Sequence, residues 1–172
     1  MRARGFSLWL VPEPSPRRRL DATIARLARR LGTPRFAPHV TLLGGLRRPL
    51  REIGAVAARL ARTTAPLELR AARVGERPHF YRSVFLAFER SQALARLRAR
   101  ARRALGPARR RFLAHLSLVY GDLDAPTRRR LVAELERDRR APMRFVRLQV
   151  VRIEGEPREW RLVASFALSR RA

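Results

Sequence analysis

His39 and His115 stand 76 positions apart, and each is followed two residues later by a hydroxyl: Thr41 in "HVTLLGG" and Ser117 in "HLSLVYG". On a strand, residues i and i+2 share a face about 6.5–7 Å apart, so each imidazole projects beside its hydroxyl. An imidazole with a reference pKa of about 6.5 both gives and takes a proton near neutrality, so a pair supplies a base and an acid together. Thr and Ser hydroxyls donate hydrogen bonds to nonbridging phosphate oxygens, at about 1.5–3 kcal/mol each for a charged acceptor. These are the parts for metal-free cleavage of a phosphodiester. The bland reading of one such motif is a histidine hydrogen-bonded within an apolar strand. Packing alone gives little reason to hold the histidine and its hydroxyl neighbour in both places, so the repetition favours catalysis.

Other chemistries lack parts. A three-histidine zinc site would need His79 beside the other two, and no His/Glu/Asp cluster has ligand spacing. A Ser-His-Asp triad with Asp122 or Asp124 would leave Ser117 on the same strand face as His115, without a nucleophile elbow. No Lys is present to complete a P-loop, and the isolated Gly44-Gly45 is too little for a nucleotide fingerprint. The absence of Cys removes disulfides, thiolate metal sites and cysteine nucleophiles. No metal or other cofactor is implied.

The elements that must position these residues follow from hydrophobic period. Strands are expected at 6–11, 39–46 and 66–74, with helices at 14–32 (Leu20, Ile24, Leu27 and Leu31 on one face, Gly32 as the stop) and 49–63 (Leu50, Ile53, Val56 and Leu60). After a loop with Gly75, Pro78 and His79 the order recurs: strand 83–88, helix 91–105, strand 115–121, helix 125–140 and strand 143–154, with a last strand at 159–168. At the 76-residue offset, with no gap, Ser7 falls on Ser83, Trp9 on Phe85, Glu13 on Glu89, Phe36 on Phe112, Gly45 on Gly121 and Pro66 on Pro142. The pattern predicts two β-α-β-α-β lobes, about 5–74 and 81–154, packed about a pseudo-twofold axis within a single domain spanning 1–172.

"HVTLLGG" and "HLSLVYGDL" resemble the paired His-x-Thr/Ser motifs of the two-histidine (2H) phosphoesterase superfamily. The opening "FSLWLVPEP" and the "LSLVYG" form of the second motif look most like its cyclic phosphodiesterase branch, rather than the bacterial RNA 2′,3′-cyclic phosphodiesterases related to 2′-5′ RNA ligase. The resemblance covers nearly the whole chain. It implies an α+β, bilobal fold with two antiparallel sheets flanking a central cleft, helices on the outside. It also implies metal-independent opening of a cyclic phosphate, in that branch ADP-ribose 1″,2″-cyclic phosphate or nucleoside 2′,3′-cyclic phosphates. His39 and His115 match the catalytic histidines, with His115 as base and His39 as acid, and Thr41 and Ser117 match the phosphate-holding hydroxyls. Tyr120 matches a tyrosine lining the cleft, against the alternative of a strand-end Tyr capping the sheet. In the loop before the second copy, Phe80 and Tyr81 are candidate stacking platforms for a base and Arg82 a candidate phosphate contact, with His79 read as a solvated loop histidine.

The chain carries 40 Lys+Arg, all of them Arg, against 14 Asp+Glu, a formal net charge of +26. A field of this sign attracts polyanions and is screened by salt. Codon bias accounts for Arg over Lys, not for so few acids. Two rivals therefore stand beside the small-nucleotide enzyme: one of the same superfamily acting on RNA ends, and a noncatalytic RNA-binding module. The expected partner is a cyclic-phosphate nucleotide or RNA end, with no protein partner or membrane, in a monomer. The apolar run Phe6–Val11 is shorter than a signal-peptide core and ends in Pro-Glu-Pro, so a cytoplasmic protein is expected.

Overall fold

The computed structural model describes residues 4–106, 112–136 and 142–169. The apolar runs and amphipathic segments become β1 (Phe6–Pro12), α1 (Pro14–Leu31), β2 (Val40–Leu46), α2 (Leu50–Arg62), β3 (Leu67–Leu69) and β4 (Ala71–Glu76). The second copy gives β5 (Val84–Phe88), α3 (Gln92–Leu105), β6 (His115–Val119), α4 (Ala125–Glu136) and β7 (Met143–Arg152), and β8 (Arg161–Ala167) ends the order. Residues 137–140 of the expected fourth helix lie outside the described residues.

Local chemistry sets the boundaries. Proline in the first turn of α1 fits a position whose N–H has no helical acceptor. Gly32 ends that helix at φ 64, a left-handed conformation that costs glycine nothing. The Ser91 hydroxyl caps α3 by accepting the Leu94 N–H at 3.2 Å. Helical spacing then buries Ile24 and Leu27, Ile53 and Leu60, Leu94 and Leu97, and Leu131 and Leu135 against the sheet. Leu50, expected inward, is 37 % exposed because it opens the first turn of α2.

All strand pairs are antiparallel, in the order β3-β7-β1-β2-β6-β5-β4, with β8 on the outside of β7. The two antiparallel sheets expected from the sequence are the halves of one continuous sheet, joined where Val40 pairs with Leu116. Each half also borrows a strand. β7, from the second copy, pairs with β1, while β4, from the first copy, pairs with β5. The expected strand 66–74 is accordingly broken at Arg70: β3 pairs with β7, and the chain then crosses to the other half. The Arg70 carbonyl accepts the Glu89 N–H at 3.0 Å at that crossing.

Period-two alternation sorts the strand residues by face. Leu8, Leu10, Val40, Leu42, Leu116 and Leu118 join the large core with Ile24, Leu27, Leu94 and Leu97 of the helices. Ser7, Trp9, His39, Thr41, His115 and Ser117 take the opposite face, where they line a cleft.

Candidate active site

The cleft encloses about 520 Å³ over the middle of the sheet, where the halves join. Both His-x-hydroxyl pairs open into it. The backbone just ahead of each motif fixes each imidazole: His39 Nδ1 lies 2.7 Å from the Ala37 carbonyl and His115 Nδ1 lies 2.8 Å from the Leu113 carbonyl. A carbonyl only accepts, so Nδ1 carries the proton in both rings, and Nε2 is the basic nitrogen of each neutral imidazole. The same bond to residue i−2 in both copies repeats the tautomer as well as the residue.

The two rings differ in what surrounds them. His39 is buried and stacks face to face on Trp9, with centroids 3.5 Å apart and planes 8° from parallel. Burial lowers its pKa to about 3, opposed by the Ala37 carbonyl and reinforced by the charge of His115. His115 is half-buried and meets the edge of Phe85 at 5.4 Å. Its pKa is lowered too, first by burial, against the Leu113 carbonyl, with Arg82 and His79 adding like-charge repulsion. Burial thus favours the neutral form of both imidazoles in the free protein.

The hydroxyls differ as well. Thr41, half-buried, stands opposite Trp9 in the β1–β2 register. Ser117 Oγ donates its one hydrogen to the Tyr81 carbonyl at 2.9 Å, so it presents lone pairs until that bond is released.

The remaining sequence candidates fall both inside and outside the cleft lining. Tyr81, Arg82 and Tyr120 line the cleft, and so does His79, which is half-buried where a solvated position was expected. Phe80 is not among the lining residues: successive positions in the 3-10 turn Phe80–Arg82 point about 120° apart, and Phe80 packs against the core. Tyr120 is buried, stacked on Phe36 at 3.6 Å, and its pKa is raised by burial and by Tyr81. Trp160 completes an aromatic wall, 5.9 Å from Tyr81 and 6.1 Å from Tyr120. Trp9, Trp160 and Arg98 also line the cleft and had no sequence reading as site residues. Trp9 was visible only as the copy of Phe85, Trp160 lies beyond the repeat, and Arg98 was one arginine among 40 basic residues.

Among the described residues, no three His, Asp or Glu side chains stand together as a metal site, and no helix is long and apolar enough to cross a membrane.

A family model described as the 2′-5′ RNA ligase superfamily matches residues 8–157. A search of the curated proteins found no match. Among solved structures, TT0787 of Thermus thermophilus is 22 % identical with a TM-score of 0.61, covering 95 % of this chain and 97 % of its own. Escherichia coli LigT complexed with phosphate is 14 % identical with a TM-score of 0.61, covering 99 % of this chain and 100 % of its own. A LigT structure complexed with NADP+ is 13 % identical with a TM-score of 0.65, covering 98 % of this chain and 99 % of its own. At these identities the likeness is one of fold.

Proposed function

As the chain belongs to the 2′-5′ RNA ligase superfamily, we propose that it hydrolyses a cyclic phosphodiester, a nucleoside 2′,3′-cyclic phosphate or ADP-ribose 1″,2″-cyclic phosphate, with His39 and His115 as its acid and base. The observation that carries this reading is the pair of imidazoles on one cleft, each with Nδ1 held by the carbonyl two residues earlier and Nε2 left for the substrate. One neutral imidazole removes the proton of a water attacking the cyclic phosphorus. The other, protonated under the field of the bound phosphate, gives its proton to the leaving sugar oxygen. Thr41 donates to a nonbridging oxygen, and Ser117 joins it once its hydroxyl leaves the Tyr81 carbonyl. The aromatic wall of Tyr81, Tyr120 and Trp160 offers a face for a base. Solved structures of LigT, similar in fold, are complexes with phosphate and with 3′-AMP, which supports a phosphate-bearing ligand for this chain.

An enzyme of the same superfamily acting on RNA ends is the second reading, favoured by the net charge of +26. The test is an assay in EDTA on 2′,3′-cyclic AMP, ADP-ribose 1″,2″-cyclic phosphate and an oligonucleotide ending in a 2′,3′-cyclic phosphate. His39→Ala and His115→Ala should each lower turnover by roughly 10²–10⁴-fold, the range of a general acid or base. Inactivity of the wild type on all three substrates, with RNA affinity unchanged in both variants, would leave a binding module instead.

A further inference from the structure

The two ends of the cleft are built from the same positions and are chemically opposite. Four residues outward from the Val40–Leu116 pair in one direction stand Phe36 and Tyr120, whose rings stack at 3.6 Å. Four residues outward in the other direction stand Phe112, the copy of Phe36, and Gly44, the copy of Tyr120. A Cβ at Gly44 would meet only ordinary contacts, 3.7 Å from Thr41 Cγ2, so crowding does not impose the glycine. The missing ring is replaced by a guanidinium. Arg98, on α3 behind the sheet, has its Cζ 4.3 Å from the centre of the Phe112 ring and lines the cleft.

Arg98 is 8 % exposed. A solvated surface arginine would not be buried against an aromatic ring at the cleft. Burial and the charge of Arg102 lower its pKa, which is the cost of holding a cation here. Arg47 lines the same end.

We propose that Arg98 forms a second anion subsite, which holds a phosphate group of the substrate other than the one undergoing cleavage. This rests on the proposed function for the position of the reacting phosphate, though not for the existence of the subsite. A guanidinium stacked on an aromatic ring keeps its donors in one plane, which suits two oxygens of one phosphate. The cleft thereby sets polarity: the base lies at the Tyr120 end, the cyclic phosphate at the histidines, and the further phosphate at Phe112. That phosphate is either an internucleotide diester or part of a diphosphate, and both present the same oxygens.

The experiment compares wild type with Arg98→Gln and Arg98→Lys on three substrates: 2′,3′-cyclic AMP, a dinucleotide ending in a 2′,3′-cyclic phosphate, and a 2′,3′-cyclic nucleotide carrying a 5′-diphosphate. For Arg98→Gln, KM should rise roughly ten- to hundredfold on the substrate with the further phosphate, with kcat held and 2′,3′-cyclic AMP unaffected. Arg98→Lys should recover part of the loss. Whichever of the two extended substrates responds identifies the source. Pyrophosphate binding, followed by calorimetry, reads the subsite without turnover and should weaken by a similar factor in Arg98→Gln. An enzyme inactive on all three substrates and on ADP-ribose 1″,2″-cyclic phosphate would defeat the proposed function, while unchanged pyrophosphate affinity, or equal KM changes on all substrates at an unaltered melting temperature, would overturn the subsite. Should Arg98→Gln melt early, Phe112→Leu keeps the charge but removes its stacking partner, and the same selective KM rise is expected; its absence overturns the proposal.

Discussion

At His39 the same burial that poises the imidazole ties stability to pH. The unfolded chain takes up the proton near pH 6.5, whereas the folded chain resists it down to about 3. Within that window the unfolded state binds more protons, so stability is complete above about pH 6.5 and is lost as pH falls. One pH unit costs about 1.4 kcal/mol from this residue, or about 3–5 °C in melting temperature for a chain of this size. His39→Gln should flatten that part of the slope between pH 6.5 and 5, before the carboxylates titrate. A slope identical to wild type would mean that His39 is not held neutral. Catalysis follows the opposite sign: a bound phosphate anion favours imidazolium, so the pH optimum of kcat should lie above that of kcat/KM, each bell belonging to the pair. Sequence spacing singled out these two histidines, because their copies share an offset, and both line the cleft. It contained nothing of the stack on Trp9, which depends on β1 pairing with β2 and brings together residues 30 positions apart.

At the scale of elements, His115 depends on a support from the other sequence copy. Gly75 on β4 pairs with Phe85 on β5, and a Cβ at Gly75 would sit 2.8 Å from the Phe85 ring. That ring lies edge-on to His115. A side chain at 75 must therefore displace Phe85, the ring that packs against the imidazole. Gly75→Val should lower kcat about tenfold or more while destabilising the fold by about 1–3 kcal/mol, the usual cost of overpacking. Activity equal to wild type would show that the ring is free to move aside. The helices and most strands were legible from period and stop signals, since each of those features is local: Gly32 ends α1 as expected, and Ser91 caps α3. The break of the expected strand 66–74 at Arg70 was not legible. Its alternation continues through the break, and only the partners on either side change. Nor does sequence reveal that Glu136, near the end of α4, accepts the Val74 N–H at 2.6 Å, giving a partner to a backbone group on the edge strand β4.

For the whole molecule the exchange of strands decides what can fold. If each copy were a lobe, residues 1–78 and 79–172 would each own a half-sheet. In the observed order, the first fragment keeps β1 and β2 but loses β7, the strand that joins β1 to β3 and β8. The second keeps β5 and β6 but loses β4, which pairs with β5 on the side away from β6. Surface pairs also cross between copies, with Arg26 and Arg30 of α1 both on Glu134 of α4, although at such exposure they contribute little. Each isolated fragment would expose apolar strand faces and unpaired strand edges that the other covers. Expressed separately, neither fragment should unfold cooperatively as a monomer by circular dichroism and sedimentation. Mixed, they should form a 1:1 complex that regains the thermal transition and the proposed cyclic-phosphate activity together, because His39 and His115 lie on different fragments of one cleft. A monomeric, cooperatively melting 1–78 would show that the sequence copy is itself a folding unit, and that the strand exchange is dispensable.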